Sequence, residues 1–380
     1  MKNSDNYYKL LRSVTPCGTQ TLSKMPCRYV EGIYPKVLER GKAGHVWDVD
    51  GNEYIDLISG LGAVSVGYCN EDIDNKVKKQ LDKGISMSFP TMLEYIVARK
   101  LIDYIPFTDQ WKFFKTGTEA DMAAIKAARA YTGREKVLAC GYHGWADWYS
   151  ILNDRKAGIP KSNADVVEKA TFNDISDFAR ILDGKYAAVI LEPMVWEWPQ
   201  DGFLETLREW CNISKTVLIF DEVVTGGRFK DFVAANHFKV FPDLIVLSKG
   251  IANGLPLAAV GGNKTFMGPF EREDFFVSGT FGGECLSLVG CYETLNILKR
   301  EIGIMYINGL RIKEYFNGMF FLTQAVCKGY PTRLTFDFPT LEHKALFMQS
   351  MCENGVLVGY SNLVMADHTN EDIDAVCTAI

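Results

Sequence analysis

Short apolar runs rich in β-branched residues recur through the middle of the chain, at 136–140 (KVLAC), 187–194 (AAVILEPM), 216–223 (TVLIFDEV), 243–248 (DLIVLS) and 257–262 (LAAVGG). Between them lie stretches with helical spacing, such as 119–131 (EADMAAIKAARAY) and 203–213 (FLETLREWCNI). Unbroken apolar runs separated by helices predict a parallel sheet buried on both faces. The ends read differently. Residues 45–57 (HVWDVDGNEYIDL) alternate around a D-G turn and predict an antiparallel hairpin. Residues 286–320 have helical spacing, 330–380 mix strand and helix, and 340–354 predict a further helix. The pattern therefore predicts an α/β fold with one large domain over 60–285. A smaller α+β domain is expected from 1–59 and 286–380. No internal repeat, low-complexity tract or Pro/Gly/Ser-rich linker separates them.

Composition narrows the classes. The 380 residues include 41 Lys+Arg and 47 Asp+Glu, a net charge of −6, with 47% hydrophobic and 23% charged positions. These values exclude a disordered chain, and the mild acidity argues against a nucleic-acid partner. Ten cysteines are scattered with no C-x-x-C, so local spacing builds neither a zinc ribbon nor a redox pair, and no metal is expected. Scattered thiols fit a reducing, cytoplasmic setting. The start, MKNSDNYYKL, is too polar for a signal peptide, and Glu192 and Pro193 break the most apolar run, so no membrane span is expected.

The chemically suggestive residues fall where an open parallel sheet places ligands, beyond the carboxyl ends of its strands. Thr116-Gly117-Thr118 precedes an alanine-rich helix that Gly133 can cap. Glycine lets the backbone approach a ligand, and N–H groups at a helix start bind phosphate; the simpler reading is an N-cap in which Thr116 or Thr118 works with Glu119. Asp221 ends the run VLIF. A carboxylate in that apolar setting needs a metal, a ribose hydroxyl, a protonated ring nitrogen or, more plainly, a hydrogen bond from the next loop. Lys249 ends DLIVLS and precedes Gly250. Poor solvation there favours the neutral amine, a nucleophile toward aldehydes; the alternative is an ion pair or a phosphate contact.

Tyr142-His143-Gly144 follows the 136–140 run. Tyr142 can stack on a planar ligand or pack in the core. His143 has no neighbour at metal-ligand spacing and reads as a structural group, or one that supports the ligand's contacts from behind. Gly60-Leu61-Gly62 lacks a third glycine in register for a dinucleotide fingerprint, and Lys76, Lys78, Lys79 and Lys83 have the spacing of a solvated helix face. Taken together, a phosphate-binding helix start, a stacking ring, a strand-end carboxylate and a strand-end lysine describe a pyridoxal-phosphate site.

Six segments then stand in a telling order: TGTEADMAAIKAARAYTGREKV (116–137), YHG (142–144), LEPM (191–194), LIFDEVVTGGRF (218–229), DLIVLSKGIANGLPLAAVGG (243–262) and SGTFGGE (278–284). On them the chain, from about Gly18 to Asp374, resembles the class III aminotransferases of the fold type I pyridoxal-phosphate enzymes, and most of all their glutamate-1-semialdehyde aminomutase-like branch. The resemblance implies a small-molecule amino donor, a carbonyl acceptor and a homodimer with shared active sites. It implies that Gly117 and Thr118 hold the cofactor phosphate, Tyr142 stacks on the ring and Glu192 lies near the ring substituents. Asp221 is then the partner of the pyridinium nitrogen, Val223 packs beneath the ring and Lys249 is the Schiff-base lysine. Thr280 serves the phosphate of the neighbouring subunit's site.

The departures from that branch concern the substrate. No arginine follows the N-terminal glycine before Arg28, YHGWADW replaces YHGHADS, Trp196-Glu197-Trp198 replaces a Gly-Asn pair, and Glu284 replaces an asparagine. They make Trp145, Trp148, Trp196 and Glu284 candidate substrate residues. Four of seven tryptophans lie in two ligand-side loops, Trp198 among them, which predicts a substrate with a bulky ring, such as a sugar, a nucleotide-linked sugar or an aromatic amine. The alternative is that they pack a dimer interface. An intramolecular aminomutase is the competing chemistry. A non-catalytic cofactor-binding relative would lack Lys249 or Asp221, and both are present.

Overall fold

A computed structural model describes residues 2–380. The chain divides into two compact units, one joining the chain up to Asp74 with Asn296–Ile380 and the other Asn75–Leu295. Both junctions fall inside helices, Glu71–Leu81 and Cys285–Met319, and a helix that runs through a junction leaves no composition break to read.

The larger unit is built on seven strands: β1 (Gln110–Phe114), β2 (Lys136–Cys140), β3 (Val167–Lys169), β4 (Tyr186–Leu191), β5 (Val217–Glu222), β6 (Leu244–Leu247) and β7 (Ala258–Gly262). Their spatial order is β1-β7-β6-β5-β4-β2-β3. The strands from β6 through to β3 run parallel, while β7 runs antiparallel to both β6 and β1. The sheet is thus mostly parallel and seven-stranded, as the resemblance implies, and the direction of β7 is what the sequence leaves open, because an apolar run carries no mark of its direction. Alternate residues of each strand feed two cores. Leu138, Val189, Leu218, Phe220 and Ile245 face one, with Leu101, Leu204, Leu207 and Leu288 of the covering helices; Val137, Ile190, Ile219 and Val246 face the other, with Ala120, Ala124 and Ala128 of the Gly117–Thr132 helix. Each such fully buried aliphatic side chain contributes about 1.5–3 kcal/mol. The small alanines let that helix sit close against the sheet, which fixes where its N-terminus points.

The smaller unit holds the predicted hairpin, His45–Asp48 and Glu53–Asp56, paired antiparallel and extended by Leu38–Lys42 and, in parallel, Val356–Leu357. Asp56 ends the hairpin, fully buried. Its Oδ1 accepts from Ile58 N at 2.8 Å and its Oδ2 from the Tyr68 hydroxyl at 2.6 Å, and the N–H groups of Ser59 and Gly60 add to the nest. Among the described residues no helix is long and apolar enough to cross a membrane.

Candidate active site

The carboxyl ends of β2, β4, β5 and β6 and the helix start after β1 converge on one place. Thr116 caps the Gly117–Thr132 helix: its Oγ1 accepts from Glu119 N, and Glu119 Oε2 accepts from Thr116 N at 2.9 Å. The plain cap is therefore real, and it also orients the helix terminus toward the site. Gly117 is needed there for space, since a Cβ would come within 2.9 Å of Val223 Cγ2. Thr118 borders Gly144, whose φ of +84° lets the loop after β2 fold back over the helix start.

Asp221 lies on β5, buried, with both oxygens engaged. Oδ1 accepts from Val223 N at 3.0 Å, and Oδ2 stands 2.8 Å from His143 Nδ1. Only a protonated nitrogen donates to a carboxylate, so Nδ1 carries the hydrogen. His143 is completely buried, its Nε2 has no hydrogen-bond partner, and Trp148 lies nearly parallel to its ring at 14° and 6.2 Å. Glu192, just past β4, accepts from Tyr142 N through Oε1 at 3.0 Å. The Tyr142 ring is 61% exposed and held edge-on by Tyr149. Lys249 follows β6 in a left-handed backbone conformation, φ +49°, which a non-glycine residue holds only at a cost of about 1 kcal/mol or more.

The structure also brings in a residue that sequence reasoning passed over. Asp121 lies one turn into the Gly117–Thr132 helix, fully buried, and its carboxylate, a nitrogen of His143 and the carboxylate of Asp221 have atoms all within 4.8 Å of one another. Burial, then the charges of Asp221 and Glu192, push its carboxyl well above the ordinary range, while Lys249 pulls the other way. The signal was an acid on the alanine-lined face of its helix, between Ala120 and Ala124.

Four expected substrate residues fare differently. Glu284 caps the Cys285–Met319 helix: it accepts from Leu286 N at 2.8 Å and from the Lys115 ammonium at 2.7 Å, and it bonds Ser287 Oγ. Burial works to raise its carboxyl, but Lys115 and Ser287 outweigh burial and hold it low. With its oxygens committed to those partners, it is a helix cap rather than a substrate contact. Trp148 is likewise buried behind His143 and lines no open wall. Trp196 is half-buried, and Trp145 is 77% exposed. Thr280 is exposed, in a loop whose Ser278, Gly279, Gly282 and Gly283 line a cavity of about 460 Å³ against β1.

The arrangement offers a helix start for a phosphate, a buried and doubly anchored carboxylate for a cationic ring nitrogen, an exposed aromatic face and an amine at a strand end. These residues fit pyridoxal phosphate. The model of the family described as Aminotransferase class-III matches residues 30–316. The chain is 33% identical over 311 residues to the 3-aminobutyryl-CoA aminotransferase of Cloacimonas acidaminovorans (strain Evry), covering 79% of this chain and 74% of that one. Its fold matches the FumI protein of Sphingopyxis sp. MTA144, solved in its PLP internal aldimine form, with a TM-score of 0.93 at 24% identity, over 100% of this chain and 95% of that one. It also matches a glutamate-1-semialdehyde aminomutase from Pseudomonas aeruginosa PAO1, with a TM-score of 0.88 at 21% identity, over 100% and 93%.

Proposed function

This chain belongs to the class-III aminotransferases, and we propose that Lys249, Asp221 and the turn at 116–118 carry its chemistry. It is a pyridoxal-phosphate enzyme that passes an amino group from a small-molecule donor to a carbonyl acceptor. When bound, the cofactor supplies an aldehyde that captures amines and a ring that draws electrons from the adjacent carbon. The backbone N–H groups of Gly117 and Thr118 would hold the phosphate, where the helix dipole favours an anion, while the Thr116 N–H stays with Glu119. Asp221 would face the ring nitrogen with a negative charge and so favour a proton on it. His143 and Val223 anchor both Asp221 oxygens, so the charge is in place before reaction and costs no reorganisation. Tyr142 would stack on the ring, Val223 would pack against it, and Glu192, fixed by Tyr142 N, would lie near its substituents. Lys249 Nζ takes the proton from the substrate carbon and later returns it, as base and then acid.

The observation that carries this reading is that Lys249 stands within electrostatic reach of the buried Asp121–Asp221 pair, at the carboxyl end of the sheet. Lys249→Ala should lower turnover by about 10²–10⁴-fold or more. Borohydride should then no longer fix the cofactor to the protein, as read by mass spectrometry. Cofactor still fixed in the variant would show that another lysine does this work.

For the substrate, the exposed Trp145 supports a ring-bearing, nucleotide-linked compound, and the half-buried Trp196 lies in the second ligand-side loop. The relative from Cloacimonas is named for a coenzyme A thioester, which carries such a ring. Stacking on an exposed indole contributes about 1 kcal/mol. A panel comparing nucleotide-linked amines with free small amino acids tests this; better turnover of the free amino acids overturns it.

The exposed apolar side chains Phe276 and Phe281 flank Thr280, and Ile85, Met87 and Phe89 add to the apolar surface of the same unit. Surface of this kind supports a homodimer in which Thr280 completes the neighbour's phosphate site. An active monomer in sedimentation at high dilution would overturn that. All ten cysteines are free, which supports a reducing, cytoplasmic setting.

A further inference from the structure

Asp121, His143 and Asp221 are the cluster of three potential ligating side chains that the described residues bring together, each buried. Two of them have clear work: His143 Nδ1 donates to Asp221, and Val223 N holds the other Asp221 oxygen. Asp121 has no such donor, and its Oδ1 is buried without a hydrogen-bond partner. The titratable groups facing it come from every neighbouring element: Asp221 on β5, Glu192 after β4, His143 and Tyr142 after β2, and Lys249 after β6.

Two carboxylates this close and this dry do not both ionise; one proton stays with the pair. The geometry decides which keeps it. Asp221 accepts from His143 and from a backbone N–H, both of which favour its charged form, while Asp121 has no such donor and the pull of Lys249 is outweighed by burial and the neighbouring carboxyls. We propose that Asp121 is held as a carboxylic acid whose O–H donates to Asp221, a positioning residue that gives Asp221 a third donor and keeps it charged and aimed at the cofactor's ring nitrogen. This role rests on the reading of Asp221 given above. Burial and the neighbouring carboxyls, which push the Asp121 carboxyl upward, point the same way. The oxygen without a partner is then the carbonyl oxygen of a neutral acid, far cheaper to leave unbonded than half of a carboxylate. His143 fits the same scheme: with its hydrogen on Nδ1, the orphaned Nε2 is a lone pair and not a stranded N–H.

The test is the infrared difference spectrum of the holoenzyme at neutral pH, wild type minus Asp121→Asn. A carboxylic-acid C=O band present in the wild type and missing in the variant is expected. Only carboxylate bands in that difference would overturn the proposal. Asp121→Asn keeps a neutral donor, so its affinity for pyridoxal phosphate should stay within about 3-fold of wild type. Asp121→Leu removes the donor and should weaken cofactor binding about 10- to 100-fold, the range of one hydrogen bond to a charged group. Equal weakening by Asn and Leu would mean that Asp121 only fills space, and would overturn the donor role. If Asp121→Leu does not fold, the infrared band and the Asn affinity decide the matter. The reading of Asp221 fails separately, when Asp221→Ala binds pyridoxal phosphate as tightly as wild type.

Discussion

Both units bury carboxyl groups, and Asp56 in the smaller and the Asp121–Asp221 pair in the larger are solved in opposite ways. Asp56 in the smaller unit sits in a nest of donors, the Tyr68 hydroxyl and the backbone of Ile58, Ser59 and Gly60, which work against the burial that raises its carboxyl. Asp121 and Asp221 in the larger unit share a site where donors are rationed: Asp221 has two, and the Asp121 Oδ1 has none. A fully satisfied buried carboxylate pins the chain locally. An under-supplied pair stores a proton and a charge with nowhere else to go, which is what a site awaiting a cationic ring nitrogen requires. Burial alone therefore does not separate scaffold from chemistry; the donor inventory does.

The comparison breaks most sharply at Asp221. Asp221→Ala should cost about 10²–10³-fold in turnover, the range for losing one preorganised charge stabiliser, with the fold intact by circular dichroism. Asp56→Ala should do the reverse. It orphans several donors at about 1 kcal/mol or more each, so urea unfolding should show a loss of roughly 3 kcal/mol, with activity per folded molecule preserved. If Asp56→Ala loses turnover while keeping its stability, the contrast between the two regions is wrong.

A third variant sharpens the comparison from inside the larger unit. Glu222, beside Asp221, is fully buried and fully donated to, by Thr225 Oγ1 and the N–H groups of Ala234 and Ala235. Burial nonetheless raises its carboxyl to about 7. A raised value means that protonation favours the folded state, a contribution complete below the unfolded value and lost as pH rises through 7. Wild-type stability should therefore fall by about 2–3 kcal/mol as pH rises from 5 to 7 and fall no further above pH 7, a slope that Glu222→Gln, which does not titrate, should lack. Urea midpoints at four pH values check the sign. The smallest effect belongs to Trp145→Ala. It should raise KM for nucleotide-linked substrates several-fold, about 1 kcal/mol, without altering the cofactor spectrum.

Much of this was legible in the sequence for a simple reason. Asp221 and Lys249 stand where apolar runs stop, and a charge at the end of a buried strand has few explanations. Thr116 and Gly117 precede an alanine-rich helix, which marks a terminus held close to a sheet. What stayed hidden depends on contacts between distant segments. Asp121 reads as one polar position in a helix until β5 is laid against that helix. Trp148 reads as a loop aromatic until the ring of His143 is placed beside it, and Glu284 until Lys115 reaches it from β1's far end. Strands β1 (QWKFF) and β3 (VEK) escaped notice because they lie at the two edges of the sheet, where short and partly polar segments suffice.

The antiparallel strand β7 has a further consequence, in time rather than in space. Its partner β1 lies at the sheet edge and pairs with nothing else, so Phe114 waits for Ala258, roughly 140 residues later in the chain. At about 5–20 residues per second, a nascent chain leaves β1 unmatched for on the order of 10 s. The turn at 116–118 hangs from β1, and Lys249 lies just ahead of β7. On the proposed reading, the anchors of the cofactor's two ends, phosphate and aldehyde, thus come together in the same late closing step.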